Sequence, residues 1–356
     1  MALPDQMLTG DDGDEVVEVA DESPEALGAL LESRGWGDGL PIVAPTTERV
    51  ERMLAVAGAN PDALLGVVPP RDGAATVRTV AISAVMAGCP PELLPVVAAA
   101  VAALTRPEVN LRGVQSTTHP VAPLVIVHGE IVDGGGFNAG TGTFGPGTRA
   151  NATVGRAVRL VLLHVGGARP GAGDAATQGQ PSKYTYCIAE RADVSPWTAY
   201  HRSRGIDAAS AITVACGENP HNVHDMESTE PVRLLTKAAS VMATLGSNNA
   251  CISQGEFFVV LCPEHAATIA SHGWGRRDVQ SFLYERARLP RGVLREAFET
   301  VAWVPWLAAI EDDSALLPMT DDPDNIRVLV AGGAGKHSCV IPSWGMTKSV
   351  TVAVEP

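Results

Sequence analysis

The alternation of apolar and polar residues along this chain predicts helices and strands in turn. Ser23-Pro24 opens the first helical stretch, with Ser23 as cap and Pro24 in the first turn, and Gly35, Gly37 and Gly39 end it. A short extended run, Ile42-Val43, follows, and Thr46 and Thr47 then cap a helix over 48–57. Residues 76–87 read as a buried helix broken at Gly88-Cys89-Pro90-Pro91, and 92–104 as a second, very apolar one. Residues 150–165 form a long helix closed by Gly166-Gly167, and further helices are expected over 232–245, 263–271 and 276–288. Runs at 121–127, 211–215, 257–261 and 326–330 predict strands, with 184–189 as a further candidate. An apolar helix, a polar turn and a strand occur around 76–127 and again around 232–261, compatible with a duplicated α/β half. The expected fold is α/β, a mixed sheet with flanking helices. It is read as a single large unit over 23–356, divisible into lobes at 23–170 and 171–356, behind a disordered acidic tail at 1–22.

Composition supports a large core: 46% of the 356 residues are hydrophobic and 19% are charged. Aromatic residues make up only 4%, so Ala, Val and Leu must do most of the packing. The net charge of −14 argues against nucleic acid and against an anionic membrane surface, because both need clustered Lys and Arg. Arg149, Arg156 and Arg159 form the best local basic patch. No basic stretch followed by an apolar run marks a signal peptide, and the longest apolar runs, 96–104 and 158–165, are too short to span a bilayer. Six cysteines occur without a CxxC pair and read as reduced thiols, so a cytoplasmic setting is expected.

Several segments carry candidate chemistry. The glycine-rich stretch 134–147, followed by a helix, lets backbone N–H groups approach an anion. Asn138, Gly142, Gly145, Arg149, Asn151 and Arg156 are its substrate-binding candidates; the plainer alternative is a turn-rich loop closing a sheet edge. Its spacing matches neither a Walker A loop nor a dinucleotide fingerprint, so no nucleotide cofactor is expected. Gln115 and His119 precede a strand, where His119 can move protons or simply satisfy a polar turn. Lys183, Tyr184, Tyr186, Cys187 and Glu190 crowd one segment; on a strand Lys183 and Cys187 would share a face, and a nearby lysine would activate the thiol. An ordinary edge strand explains the same alternation. His221, His224 and Asp225 offer ligands for a divalent metal if the segment turns helically, and otherwise form a polar loop. Asn248 and Asn249 follow a helix as substrate contacts or as C-caps. Cys339, beside Lys336 and His337, is a further nucleophile candidate, although neighbouring residues on a strand point to opposite faces.

The stretches GDGLPIVAPT (37–46), VMAGCPPELLPVV (85–97), QSTTHPVAPLVIV (115–127), GPGTRANATVGRAVRLVL (145–162), QGQPSKYTYCIAE (178–190), PHNVHD (220–225), LGSNNA (245–250) and GGAGKHS (332–338) span nearly the whole chain. Together they resemble a bacterial family, the large protein that accompanies, or is fused to, small thiol or selenol proteins named for a UGSC motif. That motif is absent here, and His337-Ser338-Cys339 is the nearest feature. The resemblance implies a shared fold, a substrate pocket in this chain, and a small thiol or selenol partner carrying the redox-active group.

The leading functional expectation is an enzyme acting on a small polar or anionic metabolite by thiol-linked cleavage or reduction of a carbon–heteroatom bond. Arg149, Arg156 and the loop backbone would hold the anion. His119 or His221 would move protons, and Cys187 or a partner thiol would supply sulfur. A metal-dependent lyase or hydrolase using His119, His221, His224 and Asp225 or Glu190 is the alternative, and a non-catalytic binding subunit the third. A homo-oligomer is expected. Segments 115–119, 178–190, 220–225 and 246–249 should converge on the glycine-rich loop.

Overall fold

In the computed structural model, which describes residues 2–4, 16–21, 23–58, 60–252, 255–298 and 308–355, two four-stranded mixed sheets organise the chain. In chain order their strands are β1 (Ala122–Gly129), β2 (Cys187–Ala189), β3 (Ser210–Gly217), β4 (His221–His224), β5 (Phe257–Leu261), β6 (Ile326–Val330), β7 (His337–Pro342) and β8 (Val350–Ala353). The first sheet runs β8-β3-β1-β2 and the second β4-β7-β5-β6. In each, the last pair is parallel and the other neighbours are antiparallel.

The two sheets therefore share one topology, and their registers agree. Ile126 sits opposite Ile188 and Thr213, and Val260 sits opposite Leu329 and Cys339. The fourth strand is exchanged between the halves. β4 follows the first three strands but joins the second sheet, and β8 follows β7 but joins the first. A bridge between Gly217, the last residue of β3, and Ser343, just after β7, joins equivalent places in the two halves where they meet. The expected duplication is present as topology, with its units at 122–224 and 257–353. A lobe boundary at 170/171 would cut the first sheet between β1 and β2.

Side-chain alternation decides the layering. Val125, Val127, Ile212 and Val214 pack against the helices α1 (Val77–Ala87), α2 (Leu94–Leu104) and α3 (Arg149–His164). Phe257, Val259, Ile326 and Val328 pack against α4 (Pro231–Met242), α5 (Pro263–Ser271) and α6 (Arg276–Arg286). The intervening positions, Leu124, Ile126, Ile188, Phe258, Val260, Leu329 and Ile341, form a third core between the sheets. The order is helices, sheet, sheet, helices, an α/β architecture with both sheets mixed. Faces apolar on both sides explain why β1 and β5 read as continuous apolar runs.

Helix starts follow local chemistry. Ser23, Thr46 and Thr76 each cap the helix behind them with a side-chain oxygen, and Thr76 and Thr79 complete a capping box. Gly58 and Gly88 end their helices in the left-handed region. Other expectations need correction. Ile42-Val43 is not a strand. Residues 184–186 lie outside β2, because Pro181–Lys183 forms a 3-10 turn before it. Residues 221–224 form an edge strand rather than a helical turn. Ala2–Pro4 pairs with Val16–Glu18 within the expected tail, the rest of which, up to residue 15, lies outside the described residues. No helix among the described residues is long and apolar enough to cross a membrane.

Candidate functional site

The glycine-rich loop is shaped from within by Asn138. Its Oδ1 accepts from Gly140 N–H at 2.8 Å and its Nδ2 donates to Thr141 O at 2.9 Å. Asn151, buried at the start of α3, closes the loop by accepting from Asn138 N–H at 2.8 Å and donating to Asn138 O at 2.9 Å. Gly142 takes a positive φ of 74°, where a side chain would be strained, and Gly145 N–H closes the turn on Gly142 O. A second glycine-rich turn props the loop from the other half. Gly332 N–H donates to Ala139 O at 2.7 Å, and a Cβ on Gly333 would lie 2.8 Å from Thr141 Cα. Asn138 and Asn151 thus build the loop, and Arg149 is committed to Gly88 O through its Nε at 2.9 Å.

This loop and the segment 181–188 enclose a cleft of about 420 Å³, with Asn219 and Pro220 as its third wall. Its polar groups satisfy one another: Ser182 donates to Asn219 Oδ1 at 2.7 Å, Thr185 to Ala152 O at 2.8 Å, and Tyr186 Oη to Glu218 O at 2.8 Å. Gln115, with its Nε2 unpartnered among the described residues, lines a small gap beside Gly155, Arg159 and Lys183. Gln180 Nε2 donates to Gly217 O, and Thr177 N–H to Thr118 O. Segments 115–119, 178–188 and 217–220 therefore meet the glycine-rich loop and its helix. Strand β4 and residues 246–249 line neither this cleft nor the cavity described next; Asn249 packs beside Gly255 instead.

On the far side of Pro181 lies a larger cavity, about 670 Å³, walled by Asp38, Arg159, Arg169, Asp174, Gln178, Gln180, Lys183 and Tyr184, among others. Its charges are arranged as a chain. Lys183 Nζ reaches both Asp174 oxygens, at 2.8 and 2.7 Å, and Arg159 Nη2 reaches Oδ2 at 3.2 Å. Arg156, expected to hold the anion, is instead clamped by both Asp38 oxygens at 2.8 Å and reaches the carbonyls of Leu40 and Pro41. Arg169 differs from these. Its guanidinium lies against Gly35, where a Cβ would sit 3.1 Å from Cζ, and it makes no hydrogen bond or ion pair with a described residue. Burial, and secondarily the nearby Arg71, lower its pKa. Burial also lowers that of Lys183, against the pull of Asp174.

His119 is oriented rather than free. Its Nδ1 accepts from Val121 N–H at 3.2 Å, which leaves Nε2–H to donate to Glu218 Oε1 at 2.9 Å. Cys187 is buried in the helix-side core and burial raises its pKa, so it rests as a thiol and lacks the activation that its expected nucleophilic role needs. Burial pushes Cys339 and Cys89 up to about 12. The metal set His221, His224 and Asp225 does not assemble. His221 and His224 are exposed and fall on opposite faces of β4, where His224 instead meets the ring of His337 across the ladder. The Asp225 carboxylate is consumed by the N–H groups of Glu227 and Ser228 and by Lys237 Nζ at 2.8 Å.

Glu190 finds different partners. It lies past the end of β2 on the face between the sheets, where Oε2 meets His128 Nδ1 at 2.7 Å and both oxygens accept from Tyr200 N–H. His201, next in the chain, completes a buried trio whose ligand atoms lie within 4.8 Å of one another, the one such group of three or more among the described residues. Sequence reading missed His128 and His201: the first hides at the end of an apolar run, and the second is brought in by a single helical turn, Tyr200–Ser203. No protein-family model, curated protein or solved structure matches the chain.

Proposed function

We propose that the protein is an enzyme that binds a small anionic metabolite in the 670 Å³ cavity, with Arg169 as the anion anchor and Lys183 as the proton-transferring group. One observation carries this reading. In a chain of net charge −14, a cavity wall holds a guanidinium with no carboxylate partner among the described residues. Across the network, Asp38 and Asp174 face Arg156, Arg159, Arg169 and Lys183, leaving a local positive excess that a carboxylate or phosphate would neutralise. Lys183 suits proton transfer because burial makes its ammonium easier to deprotonate, while Asp174 holds Nζ in place. Cleavage of a carbon–heteroatom bond beside the anionic group is the reaction class that such a pair serves. Sulfur chemistry, if the family resemblance holds, falls to a separate thiol or selenol subunit, since the thiols of Cys89, Cys187 and Cys339 are held protonated.

Calorimetric titration with small mono- and dicarboxylates and with inorganic phosphate tests the anchor. Arg169→Ala should weaken the best of these by about 1.5–3 kcal/mol, the worth of a charge-assisted contact. Lys183→Met should abolish turnover of the same compound. Equal affinity in wild type and Arg169→Ala removes the proposal.

A further inference from the structure

The trio at the sheet–sheet interface plays no part in the cavity chemistry. His128 and Glu190 side chains are both 0% exposed, and His201 is 2% exposed. Burying three such groups together is costly unless each is satisfied. Two are: Glu190 accepts from Tyr200 N–H and His128, and His128 Nε2 bonds Thr213 Oγ1 at 2.9 Å. The third is not. His201 Nε2 donates to Ala208 O at 3.2 Å, so Nδ1 carries a lone pair, and that buried atom has no partner.

We propose that His128, Glu190 and His201 bind one divalent ion of the zinc class between the sheets. Two imidazoles and a carboxylate are a donor set that such an ion prefers. Its supporting shell is in place as well. A ligating histidine characteristically gives its other N–H to an oxygen, which fixes the ring and its tautomer. His201 does so toward Ala208 O. His128 does so toward Thr213, whose hydroxyl meets Thr351 Oγ1 of β8 at 2.9 Å. On binding, the ion takes the place of the proton now shared between His128 Nδ1 and Glu190 Oε2, and that proton leaves to solvent. The ion joins β1, the residue after β2 and the Tyr200–Ser203 turn. Through Thr351 it also reaches the strand contributed by the other half. It is a structural tie, independent of Arg169 and Lys183.

The test uses the full chain without a histidine tag, stripped with a chelator and dialysed against zinc. One equivalent should be retained by elemental analysis, with a higher melting temperature than the stripped protein. His201→Ala leaves the His128–Glu190 bond intact, so it should fold and lose that equivalent together with the thermal shift. Thr213→Val should keep the ligands but weaken zinc on the order of 10–100-fold, the usual loss when the residue behind a ligand is removed. His224→Ala, at the exposed His224–His337 pair, should behave as wild type. Zinc without stoichiometric retention or thermal effect overturns the proposal. So does an equivalent that survives His201→Ala, or one that disappears in His224→Ala.

Discussion

At the scale of single residues, charge has been spent on building the molecule as much as on chemistry. Asp38 shows how. Burial would raise its pKa, but the Arg156 bonds outweigh that and hold it below the usual carboxylate range; Lys183 and Arg159 do the same for Asp174. A carboxyl group whose folded-state pKa is depressed contributes stability that is present above its unfolded value, near 4, and lost as pH falls through the folded one. The protein should therefore hold its stability at neutral pH and lose it steeply below about pH 4. Asp38→Asn should flatten that acid limb and cost about 3 kcal/mol near neutrality, the scale of breaking a nearly buried pair. Urea unfolding of both proteins from pH 3 to 7 checks this; parallel pH profiles would assign the acid limb elsewhere.

At the scale of elements, α3 and the segment 181–188 must be docked closely for the cleft and the cavity to exist on either side of Pro181. Gly155 permits this approach. A Cβ there would lie 2.5 Å from Thr185 Oγ1 and 2.6 Å from Tyr186 N, and the second of these is backbone. Gly155→Ala should cost about 1–3 kcal/mol of stability, the scale of overpacking, and should weaken anion binding as well, because Lys183 moves with the displaced wall. A variant as stable as wild type in denaturant, with unchanged binding, would show that the two elements have room to spare. Elements with strong local signals were legible from the chain: the Ser23 and Thr46 caps, the glycine ends, and β1, β5 and β6, whose apolar faces both meet cores. Strand β4 was not, because only Val223 of its four residues is buried and its place is set by pairing with residues more than 100 positions away. The site was legible in the same uneven way. Loop, 115–119 and 178–188 could be read as neighbours. The neutralisation of Arg156 by Asp38, 118 residues distant, could not. The unpaired state of Arg169 was equally invisible, since ion pairing depends on tertiary distances and composition reports only the sum.

At the scale of the whole molecule, the exchanged strands make the halves interdependent. The first sheet takes β8 from residues 350–353, and the second takes β4 from 221–224. Neither half can complete its sheet alone, and each would present an unpaired edge in place of the missing strand. Fragments 1–229 and 230–356 should lack a cooperative thermal transition separately and recover one when refolded together. Circular dichroism melts of each fragment and of the equimolar mixture decide this. A cooperative melt of the first fragment alone would mean that its sheet closes without β8.

The shared register of the two halves has a historical consequence. Glu190 N–H donates to Val127 O, and Ala331 N–H donates to Leu261 O, which makes Ala331 the counterpart of Glu190 and Cys262 the counterpart of His128. A half-length ancestor with this topology would have needed a second copy of itself, each lending its last strand to the other. Such an assembly carries every residue twice, and no position can change on one side only. Fusion into one chain lifts that constraint. One half carries an ionisable cluster at the strand ends, while the other holds a thiol and a methyl group in the corresponding places. The molecule is in this sense built like a dimer folded into a single polypeptide, with the ionisable cluster on one side only.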